Sequence, residues 1–438
     1  MTASSASPGF PTPTVPTLRR AIRTRHAVAL YVSSVLGSGI LVLPGLAAQI
    51  AGPASLIAWA FLAVASLPFA LTFATLSSRR PESGGIYGFA KEAFGPSIAV
   101  VSGWLFTFWE FTGAPAVALI AASYLGYAFP LDRPETFLAG FAIVASAIVV
   151  NYRGIVLSTR VQLAVIGAIV ALLLVTVAVA GVRVEPANFS PFLPYGWAPV
   201  ATAVALLFWS FLGYENVSNV AEEFENPQRD FRRSVYLSVA LVGVLYFAVA
   251  FVTVGTAAYR AGGSVAPFAA ILGSVVGRYA AAGTALVALF IIFGVVNAYT
   301  TGMSRVIYAT ARDGGLPSAL ATLDPTTRVP RRALLVMLGG SAGVFVLYYV
   351  LAIDLTTALL VASGAAIVLY VLGSAAGVRL HGRDGAAAGS ARAIAALSLG
   401  ISLVVLPFIG WPIVAPLAVA GVALVVAQRR FVRNRGEV

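Results

Sequence analysis

Runs of about 20 apolar residues recur along almost the whole chain, and short breaks that carry arginines separate them. A helix needs roughly 20 such residues to cross the hydrocarbon core of a bilayer. Because 59% of the 438 residues are hydrophobic and only 10% are charged, a soluble fold would lack the polar residues that its surface requires. The sequence therefore predicts an all-α polytopic membrane protein.

The apolar runs predict twelve spans and a simple division of the chain. The spans lie near residues 27–50, 54–76, 97–128, 136–151, 158–181, 198–220, 234–258, 279–310, 333–352, 355–378, 393–410 and 412–428. We expect a disordered tail over 1–26, five spans over 27–181, five more over 198–378, two extra helices over 393–428, and a second tail over 429–438.

The basic residues predict the orientation in the cytoplasmic membrane. If the N-terminus is inside, four arginines lie on the outer side: Arg133, Arg183, Arg260 and Arg278. The two tails and the connections after the second, fourth, sixth, eighth and tenth spans carry most of the 28 basic residues and then lie inside, as the positive-inside rule requires. Topology thus explains the net charge of +12, and no nucleic-acid partner is predicted.

The first predicted span contains a signal for a broken helix. Gly37, Ser38 and Gly39 lie near its midpoint, and Pro44 follows shortly after. A helix can break at such a step, and the second half then begins inside the membrane with free N–H groups and a positive dipole end. An anion such as a carboxylate would satisfy these groups. Close helix packing by small residues is the alternative interpretation.

The sixth predicted span is interrupted in a similar way. The segment Trp209-Ser210-Phe211-Leu212-Gly213-Tyr214-Glu215-Asn216 places a glycine and a carboxylate in the middle of an apolar run. Two inverted groups of five helices would produce interruptions five spans apart and would face them across a substrate at the bilayer midplane. This pattern favours a transporter.

Four short motifs are similar to those of the amino acid–polyamine–organocation (APC) transporter superfamily. They are Gly37-Ser38-Gly39-Ile40, Pro81-Glu82-Ser83-Gly84-Gly85-Ile86-Tyr87-Gly88-Phe89, Ala221-Glu222-Glu223-Phe224-Glu225-Asn226-Pro227 and Ala311-Arg312-Asp313-Gly314-Gly315-Leu316-Pro317. The resemblance covers residues 27–428 and implies two inverted five-helix repeats, two additional helices and amino-acid transport by alternating access. Within the superfamily the chain looks most like bacterial exporters of neutral amino acids such as methionine and the branched-chain residues.

The resemblance also implies a substrate site, and the dipole argument agrees with its first part. The substrate carboxylate would bind the backbone N–H groups of Ser38, Gly39 and Ile40. The α-ammonium would face the carbonyls of Val35, Trp209 and Leu212. The Trp209 side chain would form an aromatic gate over the substrate, unless it is simply a packing residue.

The third predicted span would supply the pocket for the substrate side chain. Gly113, Ala114 and Pro115 present only small or apolar atoms, which suit an apolar side chain. Glu110 lies one turn before Ala114 on the same helical face. We expect this carboxyl to carry a proton, to be the counter-ion of a cationic amino acid or polyamine, or to bond to a neighbouring helix. Glu215 is a second candidate for carrying a proton, unless it only caps free backbone donors.

The coupling ion stays open at this stage. Many proton-coupled relatives carry a lysine in the fifth span, where this chain has Ile169, and its only lysine is Lys91. Thr300, Thr301 and Ser304 are sodium-ligand candidates, although such hydroxyls mostly bond to their own helix. Sodium coupling, proton antiport and uncoupled exchange are the alternatives. No cofactor is predicted.

Other classes of membrane protein fit the sequence less well. An intramembrane enzyme would need a nucleophile with its base, or a metal cluster, and the chain has no cysteine. A channel would show one pore-lining pattern in place of two broken helices. A membrane sensor that binds the same substrates would look alike in sequence, but the predicted tails are short.

Overall fold

The computed structural model describes residues 24–80, 85–154, 159–215, 227–260, 262–312, 314–385 and 388–435, and their regular structure is helical throughout. The α-helices are α1 (Thr24–Val35), α2 (Leu43–Ala51), α3 (Ser55–Arg79), α4 (Gly85–Phe94), α5 (Pro96–Ala128), α6 (Arg133–Tyr152), α7 (Thr159–Gly181), α8 (Trp197–Leu207), α9 (Pro227–Gly255), α10 (Pro267–Val276), α11 (Arg278–Arg312), α12 (Arg331–Val350), α13 (Leu355–Arg383), α14 (Gly389–Val405) and α15 (Val414–Arg435).

Ten helical stretches in the described part of the chain are long and apolar enough to cross a membrane. They correspond to ten of the twelve predicted spans. The other two, the first and the sixth, are the spans in which the sequence predicted a break, and each consists of shorter helical pieces. The predicted all-α polytopic fold is therefore confirmed.

The break in the first span follows from its glycines and its proline. Helix α1 ends at Val35, and Gly37 is extended, with φ −107° and ψ −168°. A short 3-10 helix covers Ser38–Leu41, and α2 then begins at Leu43 with Pro44 in its first turn. Proline is tolerated there because it lacks an N–H that the first turn could not use.

The break in the sixth span has a different shape. Helix α8 ends at Leu207 and continues as a 3-10 helix over Phe208–Phe211. Leu212 is extended, and Gly213 has a φ of +119°, which residues with a side chain rarely adopt. The chain therefore turns out of the helix at Gly213.

Helices α5 and α11 pack along each other, and the 3-10 helix of the first span contacts both. Trp209 of the sixth span lies in one pocket with residues of both helices. Helix α9 packs against both α1 and α3. Aromatic rings fill the contact of α3, α8 and α13: the Tyr370 ring lies 5.4 Å from Phe69 and 5.3 Å from Phe208, edge to face in both cases.

Two short helices were not predicted. Helix α4 packs on α5 and α13, and α10 packs on α7 and α11. Helix α15 continues to Arg435, into the residues expected to form the second tail, and the first tail lies outside the described residues except for its last three positions. The inverted relation between the two groups of five spans stays a prediction.

Ion pairs join the C-terminal ends of α3 and α13 to each other and to α4. The Arg80 guanidinium donates two hydrogen bonds to the Asp384 carboxylate, at 2.7 and 3.2 Å, and its Nε donates to Glu92 at 2.8 Å. These bonds from Arg80 lower the pKa of Asp384 to about 2. Arg79 lies 3.4 Å from the same carboxylate. The pairs fix the end of α13 against that of α3.

Candidate functional site

The two breaks meet, and Gly39 lies at their contact. A Cβ added to Gly39 would lie 2.7 Å from Cδ1 of Trp209 and 2.8 Å from Oγ of Ser210. Ser38 and Ile40 are buried beside it. The N–H groups of the first turn of a helix have no acceptor within that helix. The N–H groups of Ser38, Gly39 and Ile40 therefore have no acceptor within their own helix, and their role as a carboxylate site stays a prediction.

The backbones of the two spans also touch at Gly213. A Cβ on this residue would lie 2.2 Å from the carbonyl oxygen of Ser34. The neighbouring Val35 carbonyl accepts hydrogen bonds from the Tyr246 hydroxyl at 2.9 Å and from the Gly37 N–H at 2.7 Å. Both lone pairs of this predicted ammonium ligand are thus engaged in the present conformation.

Glu215 is buried at the end of the sixth-span break. Its Oε2 accepts a hydrogen bond from the Gly213 N–H at 2.9 Å and another from the Tyr370 hydroxyl at 2.5 Å. The carboxyl therefore satisfies a donor that the break frees, and it ties the break to α13. Leu212, a predicted substrate contact, is buried beside Gly213.

A small chamber lies between α5, α11 and the Trp209 side chain. Its volume is about 20 Å³, and it is lined by Trp109, Glu110, Gly113, Ala114, Val117, Trp209, Val295, Val296 and Tyr299. The sequence correctly placed Glu110 and Ala114 on one face. Pro115 is buried in α5 but is not among the lining residues. A Cβ on Gly113 would lie 2.9 Å from Cη2 of Trp209, so the indole reaches from Gly39 across to Gly113.

A larger cavity of about 460 Å³ adjoins this chamber and shares three of its walls, Trp109, Val295 and Tyr299. Its other lining residues are Ser34, Leu36, Gly37, Gly85, Ile86, Tyr87, Phe106, Glu215, Ala298, Gly302, Met303 and Val306. Because it contacts both Glu215 and the first turn of α4, it joins the breaks to the side of the membrane where α4 lies.

The opposite side of the breaks is closely packed. A Cβ on Gly45 of α2 would lie 2.2 Å from the carbonyl oxygen of Ser264, in the segment before α10. The Tyr124 hydroxyl of α5 donates a 2.5 Å hydrogen bond to the carbonyl of Leu41. Among the described residues, a cavity therefore lies on the α4 side of the breaks, whereas the α10 side is closely packed.

The three sodium-ligand candidates lie on α11 but differ in their surroundings. The single proton of the Thr301 hydroxyl can be donated to Asn151 Oδ1 at 2.6 Å or to the Asn297 carbonyl at 2.8 Å, and Ser304 donates to the Thr301 carbonyl at 3.0 Å. The Thr300 hydroxyl is buried without a hydrogen-bond partner. Among the described residues, no group of three or more His, Cys, Asp or Glu side chains is placed to hold a metal ion.

Apart from Trp209, the aromatic side chains around the breaks were not predicted from the sequence. Trp109 and Tyr299 line both cavities, and the Tyr246 and Tyr370 hydroxyls bond to the breaks. A tyrosine in the middle of an apolar run was an available signal, because a buried hydroxyl usually requires a partner. The motif residues 81–84, 221–226 and 313 lie outside the described residues.

A polytopic helical protein whose two broken helices meet beside a cavity has the architecture of a membrane carrier. The family described as "Amino acid permease" matches residues 22–429. This chain therefore belongs to the amino acid permease family, which confirms the resemblance noted from its motifs, and its function is that of a transporter.

Three relatives show the range of similarity. The chain is 37% identical to the uncharacterized amino acid permease YecA of Bacillus subtilis, over 84% of this chain and 87% of the relative. It is 29% identical to the L-methionine/branched-chain amino acid exporter YjeH of Escherichia coli, over 95% and 98%. It is 31% identical to the branched-chain amino acid permease BcaP of Bacillus subtilis, over 72% and 71%.

Proposed function

We propose that this protein carries amino acids with neutral, apolar side chains across the cytoplasmic membrane by alternating access, in export or exchange. The observation that carries the proposal is the meeting of the two breaks: the first-turn N–H groups of Ser38, Gly39 and Ile40 have no acceptor within their own helix, and the adjoining Gly37 lines the larger cavity. A substrate carboxylate would satisfy these donors. Closing the open side and separating Gly45 from Ser264 would then expose the site to the opposite side.

The side-chain end of the site supports an apolar substrate. Gly113, Ala114, Val117, Val295 and Val296 present only small or aliphatic groups to the chamber. The indole of Trp209 separates them from the first-span break, so it must move when a substrate side chain enters, as an aromatic gate does. Two of the relatives also have names that refer to branched-chain amino acids.

The proposed orientation places both termini and α4 in the cytoplasm, following the arginine distribution of the sequence. The open cavity then faces inward. Direction of net transport follows from the gradients on the two sides, because a carrier cycle runs either way.

Glu215 is the proposed proton site. It lines the open cavity, so a proton can reach it, and its hydrogen bond to Gly213 links its charge to the shape of the sixth-span break. Tyr370 donates to the carboxylate form, and loss of that bond on protonation would release α13 from the break. Sodium at Thr300, Thr301 and Ser304 is the competing mechanism, and only the Thr300 hydroxyl has no hydrogen bond to give up.

Counterflow into proteoliposomes tests the function directly. Vesicles loaded with unlabelled leucine, methionine or isoleucine are placed in labelled amino acid at several pH values, with and without sodium. We expect exchange of all three, with a pH dependence that Glu215→Gln flattens and with no requirement for sodium. Exchange of none of the amino acids would overturn the proposal in favour of a membrane sensor, and a strict sodium requirement would move the coupling to α11.

A further inference from the structure

The Glu110 side chain lines the small chamber between α5, α11 and Trp209. An apolar substrate side chain would offer its carboxyl group no partner. Glu110 is 5% exposed and forms part of the chamber wall. Within the described part of the chain, no hydrogen bond or ion pair reaches its carboxyl group, and burial is the only influence on it. A bond to a neighbouring helix, one of the three roles expected from the sequence, is therefore not made. A buried carboxyl without a partner is costly unless something neutralises it.

Aromatic rings surround the same chamber. The ring of Trp109 lies edge to face with Trp209, at a centroid distance of 5.8 Å, and with Tyr299, at 6.0 Å. Aromatic faces attract cations, most strongly where water is excluded. A carboxyl group enclosed with three aromatic rings is a combination that recognises an ammonium group.

The size of the chamber restricts the kind of cation. A volume of about 20 Å³ holds one water-sized group. A primary ammonium has this size, whereas a guanidinium is larger and needs a greater displacement of the walls, of which Trp209 is the one proposed to move. The chamber also adjoins Trp209, which contacts Gly39 at the proposed carboxylate site. One extended amino acid can therefore reach both places when the indole moves aside.

We propose that the chamber formed by Glu110, Trp109, Trp209 and Tyr299 is a subsite for the primary ammonium group of a basic amino-acid side chain. The carrier then accepts short basic amino acids of the ornithine type in addition to apolar ones. The inference rests on the proposed function, since it assigns a further substrate class to the same site.

Competition in proteoliposomes tests the proposal with two side chains of equal length. Ornithine and norleucine have the same number of side-chain heavy atoms and differ in an ammonium in place of a methyl group. Both compete against labelled leucine in counterflow, and labelled ornithine is then followed directly. We expect ornithine to compete and to be exchanged by the wild-type protein, and arginine to compete less well because its guanidinium is larger.

The variant Glu110→Gln removes the charge and keeps the shape. We expect the preference for ornithine over norleucine, measured as the ratio of their inhibition constants, to fall by about tenfold or more. Glu110→Asp, which keeps the charge, and Glu185→Gln, which changes an exposed carboxyl, should retain most of that preference.

The outcomes separate the two proposals. If leucine is exchanged but wild-type protein neither binds nor exchanges ornithine, the ammonium subsite is wrong and the proposed function stands. An ornithine preference that is unchanged in Glu110→Gln also overturns the subsite. If no amino acid is exchanged, the proposed function fails and the subsite fails with it. If Glu110→Gln does not fold, the wild-type protein still tests the proposal, because a failure to bind and exchange ornithine would overturn it.

Discussion

The two interrupted spans are both broken at glycines, but their backbone donors have different fates. In the first span, the donors of Ser38 to Ile40 begin a new helix without an acceptor of their own. In the sixth span, the Gly213 donor is bonded to Glu215, two residues along the same chain. One break is thus the proposed site for a substrate carboxylate, and the other is satisfied by a carboxylate that the protein supplies.

On the proposed function, the two breaks of this protein have different roles. An unsatisfied break can bind a substrate anion, whereas a self-satisfied break can respond when its own carboxyl changes charge. The hydroxyl groups that bond to the two breaks show the same division. Tyr246 fixes a carbonyl of the first break, and Tyr370 fixes the acid of the sixth.

The largest expected effect comes from filling the first break. In Gly39→Val, a β-branched side chain would enter the space occupied by Trp209 and Ser210. We expect counterflow of every amino acid to fall to about 1% of wild type or less, because overpacking and the loss of the N–H geometry act together. Gly167→Val on the exposed face of α7 is the control, since its added Cβ meets nothing within 4 Å. Transport retained by Gly39→Val would refute the assignment of the carboxylate site.

The next effect tests whether the sixth break is satisfied by Glu215. In Glu215→Ala, the buried Gly213 N–H loses its acceptor, a change worth about 1–3 kcal/mol. We expect transport to fall by roughly ten- to a hundredfold. In Glu215→Gln the amide oxygen can still accept, so the fall should be smaller while the pH dependence disappears. Equal losses in the two variants would mean that the negative charge matters and the backbone bond does not.

Removing the partner of Glu215 should have a smaller effect. Tyr370→Phe deletes the hydroxyl that donates to the carboxyl and leaves the ring packing of Phe69 and Phe208 in place. We expect a several-fold change in the transport rate, since one such bond contributes about 0.5–1.5 kcal/mol.

Tyr348→Phe is the matched control, because the Tyr348 hydroxyl is buried without a partner and its removal should change little. A Tyr370→Phe variant with the rate and pH profile of wild type would show that α13 does not sense the sixth break.

The smallest effect concerns the end of the helix that carries Tyr370. Asp384→Asn weakens the bonds to Arg80, and we expect a loss of about 1 kcal/mol or less at neutral pH because the pair is partly exposed. The pKa of Asp384 is lowered to about 2, so its contribution is present above the unfolded value near 3.9 and is lost as the pH falls towards 2.

Thermal unfolding of the purified protein in lipid nanodiscs measures this contribution. The difference between wild type and Asp384→Asn should be constant from pH 7 to pH 5 and should shrink between pH 4 and pH 2. A difference that grows on acidification would assign the stability to another group.

Much of the fold could be predicted from the sequence because the bilayer imposes a strict length rule on apolar runs. The two breaks could also be predicted from the sequence, because Gly37, Gly39 and Gly213 affect the backbone conformation at their own positions. Helices α4 and α10 were missed because they are too short to obey that rule.

Only part of the candidate site could be predicted from the sequence. A spacing of one helical turn placed Glu110 with Ala114, but it did not show that Trp109, Tyr299 and Trp209 enclose them. The engagement of the Val35 carbonyl by Tyr246 was equally hidden, because the two residues lie in different spans.

The sequence by itself determined the number of spans, the places where two of them break and the family to which the chain belongs. These properties depend on residues that are adjacent in the chain and that share one solvent, the bilayer. The tertiary structure alone decided which break has its donor bonded to a carboxyl, which carboxyl has a partner and on which side of the breaks the cavity lies. The physical reason is that a buried polar group is satisfied by whatever packs against it, and that neighbour is fixed by the fold and lies far away in the chain.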